Sequence, residues 1–168
     1  SIAVEAILNP VGIATVGLKP LEPLPLGGYT ARRDRLANPG GQTLFARAIA
    51  FPASPRPFVL VAFEGLTIPE SLQSAVQARV GPQADVLLVA THTHCAPDTQ
   101  MLNDRMTFRI PGITPFSRRW LDWYSSAAAT SAQNALLKPV FAPLSLQKAT
   151  APIKFLLMVA RRPCCDQS

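Results

Sequence analysis

The chain has 168 residues, 48% of them apolar, and carries a formal charge of +6 from sixteen Lys and Arg against ten Asp and Glu. That composition can build a sizeable core and excludes a disordered chain, while apolar runs of about six residues fall far short of the roughly 20 that cross a bilayer. The basic residues show no interleaved aromatics and no long run, which argues against nucleic acid as a partner. The pairs at Arg32 and Arg33, Arg118 and Arg119, and Arg161 and Arg162 read as solvated surface that leaves an anionic ligand open.

The first residues, SIAVEAILNPVGIATV, have no basic leader and no small-residue cleavage pattern, so no signal peptide is expected in the chain as given. A strand is predicted over VGIATVG, residues 11–17. Pro20, Pro23 and Pro25 lead into Gly27 and Gly28, and residues 18–42 read as one long shaped loop of the kind that often carries function. TLFARAIAF (43–51) alternates in part and FVLVAFE (58–64) reads as a continuous buried strand, the two joined as a hairpin by PASPRP. A short helix follows Pro69, with Leu72, Ala75, Val76 and Val80 on one face and Gly81 just past its end.

DVLLVAT is the next strand. A second helix is expected from Pro115 to about Lys138, capped by Thr114 and burying Trp120, Trp123, Tyr124, Ala127 and Ala128. PLSLQKA and IKFLLMVA then read as strands. Strands alternating with helices give an α/β class with a mixed β-sheet flanked by helices, and residues 1–168 are read as a single domain. Cys95, Cys164 and Cys165 contain no C-x-x-C and leave an odd thiol, so neither a disulfide framework nor a thiolate zinc site is indicated.

The sequence VLLVATHTHCAPDT holds the chain's two histidines, His92 and His94, at the end of an apolar strand. In an extended backbone residues two apart point to the same side, so both rings can face one cleft, at a sheet end where ligands tend to sit. Thr91 and Thr93 could orient the rings through their hydroxyls. Imidazole is the commonest metal ligand and the neutral-pH proton carrier; the alternative is that both rings are only satisfied polar groups at a strand end. Binuclear amidohydrolase barrels and histidinol-phosphatase-type sites need further histidines, and metallo-β-lactamase-type sites need H-x-H-x-D-H. With two histidines in the sequence, none of these fits.

THTHCAPDT resembles the T-H-T-H-S-[GA]-P-[GD] segment of the neutral, non-lysosomal ceramidases, with Cys95 where Ser is usual. VGIATVGLKP followed by PLGGY, LFARAIAF, and LVAFEGLTIP, with Glu64 where Asp is common, resemble that family's preceding landmarks in the same order. The resemblance implies a zinc-dependent amidase that hydrolyses the N-acyl amide of ceramide to sphingosine and a fatty acid. It puts the zinc ligand on His92 and the residue beside the metal and the reacting amide on His94. MVARRP resembles the family's N-x-N-R-S-P segment and would give Arg161 an active-site role, with Ala160 in place of Asn; a surface charge is the other reading. Tyr29 would be a wall residue near the histidines.

The family's remaining ligands, a second His, a Glu and a Tyr, lie beyond the point reached by this sequence. The resemblance therefore implies an incomplete, amino-terminal part of a larger α/β catalytic domain, inactive on its own. The non-catalytic alternative is a truncated remnant or weak metal-binding domain. A secreted or periplasmic location and a lipid substrate are further implications, with association at a membrane surface left open.

Overall fold

A computed structural model of the chain describes residues 7–20, 22–28, 36–37 and 43–144. Tyr29, Arg161, Cys164, Cys165 and the strand expected over IKFLLMVA lie outside the described residues.

Strands β1 (Ile7–Leu18), β4 (Leu44–Phe51), β5 (Phe58–Phe63), β6 (Asp85–Ala90) and β7 (Pro139–Leu144) form one sheet in the order β6-β5-β4-β1-β7. Two short strands, β2 (Leu24–Pro25) and β3 (Leu36–Ala37), pair with each other inside the segment read as a long loop. The link over 52–57 makes β4 and β5 an antiparallel hairpin, as the sequence suggests. β6 instead runs parallel to β5, because the helix α1 (Glu70–Val80) returns the chain to the starting edge. The sheet is therefore mixed, with helices α1 and α2 (Arg118–Leu137) against it.

Both helices lie on one face. Val59, Val61 and Phe63 of β5, Ala46, Ala48 and Ala50 of β4, and Val86 and Leu88 of β6 pack beneath them. Leu72, Val76 and Val80 of α1 and Leu121, Tyr124, Ala128, Ala132 and Ala135 of α2 complete that core. Each fully buried Val, Leu or Phe contributes about 1.5–3 kcal/mol relative to exposure. The expectation of a continuously buried β5 is corrected: alternate residues are only half-buried. Both faces of that strand are apolar, and the helices cover only one.

Small residues let α2 sit close. A Cβ on Gly12 would overlap the carbonyl oxygen of Ala135, and the buried Ser131 hydroxyl donates to Ala46 O at 2.9 Å. The helix starts at Arg118 with Ser117 as N-cap, three residues later than a Thr114 cap would place it. The residues before it are tied to other segments instead: Thr114 N donates to Asp98 Oδ2, Phe116 N to Met106 O and Ser117 N to Met101 O. Trp123 and Ala127 are half-buried, and the buried face runs on to Ala135. The strand after α2 begins at Pro139, ahead of the expected PLSLQKA, and its two prolines are tolerated because β7 is an edge among the described strands.

The opposite edge is closed by side chains. Gln73 and Gln77 of α1 reach the outward backbone of β6: Gln73 Nε2 donates to Val86 O and Gln73 Oε1 accepts from Leu88 N. Gln77 Nε2 donates to Ala84 O and Gln77 Oε1 accepts from Val86 N.

Candidate functional site

The carboxyl ends of β5 and β6 are neighbours, with Phe63 opposite Ala90. Pairing continues past the last strand residue, since Thr91 N donates to Phe63 O at 3.0 Å and Thr93 N to Gly65 O at 3.3 Å. Between these two bonds His92 leaves the extended conformation, with φ 58°. A non-glycine residue held in the left-handed region costs roughly 1–2 kcal/mol, and such strain concentrates at functional sites.

That turn brings the two imidazoles together, with ring centroids 5.1 Å apart and planes at 85°. Shared strand parity is not what joins them: the strand ends at Ala90 and the rings meet through the left-handed residue. His92 Nδ1 lies 2.8 Å from Leu66 O. A carbonyl only accepts, so Nδ1 carries the hydrogen, and in the neutral ring the lone pair lies on Nε2, the nitrogen a metal would use. Leu66 is set by its own turn, where Thr67 N donates to Thr99 Oγ1 and the two threonine hydroxyls are 2.7 Å apart. The Thr93 hydroxyl accepts from Cys95 N at 3.2 Å.

The glycine loop closes on this site. Gly27 N donates to Ala96 O, Asp98 N donates to Pro25 O, and Leu26 bridges to Pro97. Gly28, at φ 95°, has the His94 ring where a Cβ would stand. Only glycine combines that backbone angle with so close an approach. The expected packing of this loop near the histidines is thus seen at Gly27 and Gly28.

Asp98, 3% exposed, joins three segments. Its Oδ1 accepts from Gln100 N at 3.0 Å and its Oδ2 from Thr114 N at 2.8 Å, while its own N–H holds Pro25. The sequence reading gave this residue no firm place; the Asp-x-Gln spacing at a turn is the signal that could have found it. Cys95 is disulfide-bonded, which corrects the reading of cysteines outside any framework. Pairing between distant cysteines is not written in their spacing.

No group of three His, Cys, Asp or Glu that could hold a metal ion occurs among the described residues. His92 offers one imidazole nitrogen to a zinc ion, a single donor, and both Asp98 carboxylate oxygens are already committed to backbone N–H groups. A hollow of about 410 Å3 between the amino ends of α1 and α2 is lined by none of these residues, and four of its lining charges pair, Arg105 with Glu70 and Arg118 with Asp122.

No protein-family model and no curated protein matches the sequence. Solved structures do. The chain is similar to a structure described as ceramidase complexed with C2, with a TM-score of 0.64 and 20% identity over 80% of this chain. It is equally similar to neutral ceramidase from Pseudomonas aeruginosa, with a TM-score of 0.64 and 19% identity over 80% of this chain. The match covers 22% of each of those chains. The fold is therefore that of a part of a ceramidase structure.

Proposed function

We propose that this chain carries the histidine portion of a zinc-dependent amidase site that cleaves the N-acyl amide of a ceramide-like lipid to sphingosine and fatty acid. The observation supporting it is His92, strained at the mouth of the sheet with Nδ1 held by Leu66 O and Nε2 left to bind a metal. When bound, zinc supplies a Lewis acid that polarises the amide carbonyl and lowers the pKa of a bound water. His92 is the ligand. His94, its ring against Gly28, is the neighbouring group that handles the proton of the reacting amide. Arg161 is assigned to the same site by the resemblance of MVARRP alone.

Membership of the ceramidase family and an amino-terminal, incomplete share of its catalytic domain belong to this proposal. A catalytic zinc ordinarily takes three protein ligands and an open position, so the remaining donors would come from outside the described residues. The second reading, a non-catalytic truncated remnant or weak metal-binding domain, is favoured by the absence of a three-ligand group among the described residues.

A lipid substrate fits the exposed Phe108 and Ile110, flanked by Arg105 and Arg109 on a loop anchored to Asp98 through Thr114, as a contact with a membrane surface. No helix among the described residues is long and apolar enough to cross a membrane. The disulfide at Cys95 fits an oxidising secreted or periplasmic setting.

Zinc titration and a ceramide assay with a chelator control test the proposal. The chain is expected to bind zinc weakly, to lose that binding in His92→Ala, and to release no fatty acid. Zinc binding unchanged in His92→Ala would remove the ligand assignment; zinc-dependent release by the 168-residue chain would overturn the incomplete site.

A further inference from the structure

The turn that follows β5 holds His92 at three points. Phe63 O and Gly65 O accept from the N–H groups of Thr91 and Thr93 on either side of it, and Leu66 O takes its ring at Nδ1. The backbone angle and the tautomer of His92 both depend on where this turn stands.

Thr99 grips the same turn. It is 2% exposed and lies seven residues past His92, in a segment that folds back against residues 65–67. Its hydroxyl oxygen accepts from Thr67 N at 3.1 Å and lies 2.7 Å from the Thr67 hydroxyl. Its methyl faces Gly65, where an added Cβ would stand 3.1 Å from Thr99 Cγ2. Leu66 is therefore braced by the methyl at the residue before it and by the hydroxyl at the residue after it. Serine at this position would supply only the second contact and valine only the first. The bond from His92 Nδ1 to Leu66 O is directional and weakens as the carbonyl turns away. A ring released from that bond samples both neutral tautomers, and the lone pair is then shared between Nδ1 and Nε2.

We infer that Thr99 is a positioning residue for His92: it sets the Leu66 carbonyl that keeps the hydrogen on Nδ1, and so keeps Nε2 as the donor to a divalent metal ion. This rests on the reading of His92 as a metal ligand.

Heteronuclear NMR of the imidazole nitrogens in the metal-free 168-residue chain, at about pH 8 where imidazole is ordinarily neutral, reads the tautomer, and zinc titration reads the donor. The unaltered chain should hold His92 mainly with the hydrogen on Nδ1. Thr99→Val keeps the methyl contact and loses the hydroxyl; it should raise the other tautomer to a comparable population and weaken zinc binding by about tenfold. Thr99→Ser restores the hydroxyl and should stay within about twofold of the unaltered chain. Thr67→Val, which removes a half-buried hydroxyl and keeps the N–H bond, should shift both readouts the same way by a smaller factor, and it decides the matter if Thr99→Val does not fold. An unchanged tautomer and zinc affinity in the folded valine variant would overturn the inference. So would a serine variant as impaired as the valine one, since packing rather than the hydroxyl would then be at work. A tautomer that responds to Thr99→Val in a chain whose zinc binding survives His92→Ala would support the positioning role and remove the ligand reading.

Discussion

His92 and Asp98 lie six residues apart in one loop, and the backbone treats them in opposite ways. Asp98 is buried, its two carboxylate oxygens are filled by backbone N–H groups, and it holds the glycine loop and the approach to α2 together. His92 is exposed, sits in a conformation unfavourable to its side chain, and has its ring fixed through Nδ1 to Leu66 O. The loop is thus stabilised at one end and strained at the other. A strained residue relaxes unless its surroundings over-determine it, and His92 is held on both sides, by Thr91 N to Phe63 O and Thr93 N to Gly65 O, and through its ring by Leu66 O.

The largest effect should come from breaking the anchor. Asp98→Ala leaves two buried N–H groups unsatisfied, at about 1–3 kcal/mol each, and urea denaturation should show a loss of roughly 2–4 kcal/mol. A loss within a few tenths of a kcal/mol would mean that the loop does not depend on it. Gly28→Ala comes next: a Cβ at φ 95° displaces the His94 ring, with an expected cost of about 1–2 kcal/mol. The His94 imidazole resonances should move in the NMR spectrum, and an unshifted ring would disprove the contact. The smallest effect has the opposite sign. His92→Gly removes the strain at φ 58° and should raise stability by up to about 1 kcal/mol while abolishing zinc binding. Destabilisation by His92→Gly would show that the Leu66 bond outweighs the backbone cost.

What the sequence makes legible follows from the range of the interactions. α1 and the hairpin of β4 and β5 are local: Pro69 and Gly81 bound one, and apolar runs either side of PASPRP define the other. The clustering of the histidines with the Gly27-Gly28 loop was reached by resemblance, and its backbone basis was not. A left-handed His92 depends on how the chains following β5 and β6 lie together, which no local pattern states. The segment before α2 is placed by Asp98, Met101 and Met106, which accept from the N–H groups of Thr114, Phe116 and Ser117, again across the fold. The open face was hidden for a different reason, since FVLVAF and DVLLVA look the same whether one side or both are covered.

The glutamines of α1 have a consequence for growth of the sheet. Gln73 and Gln77 present amide groups to β6 as a neighbouring strand would, so that edge is already satisfied over Ala84 to Leu88. A protruding strand edge is a template for pairing with foreign chains. Here recruitment of a further strand is directed to the β7 side, where Pro139 and Pro143 remove two donors. The sheet has a polarity of extension, closed at one margin by side chains and thinned of donors at the other.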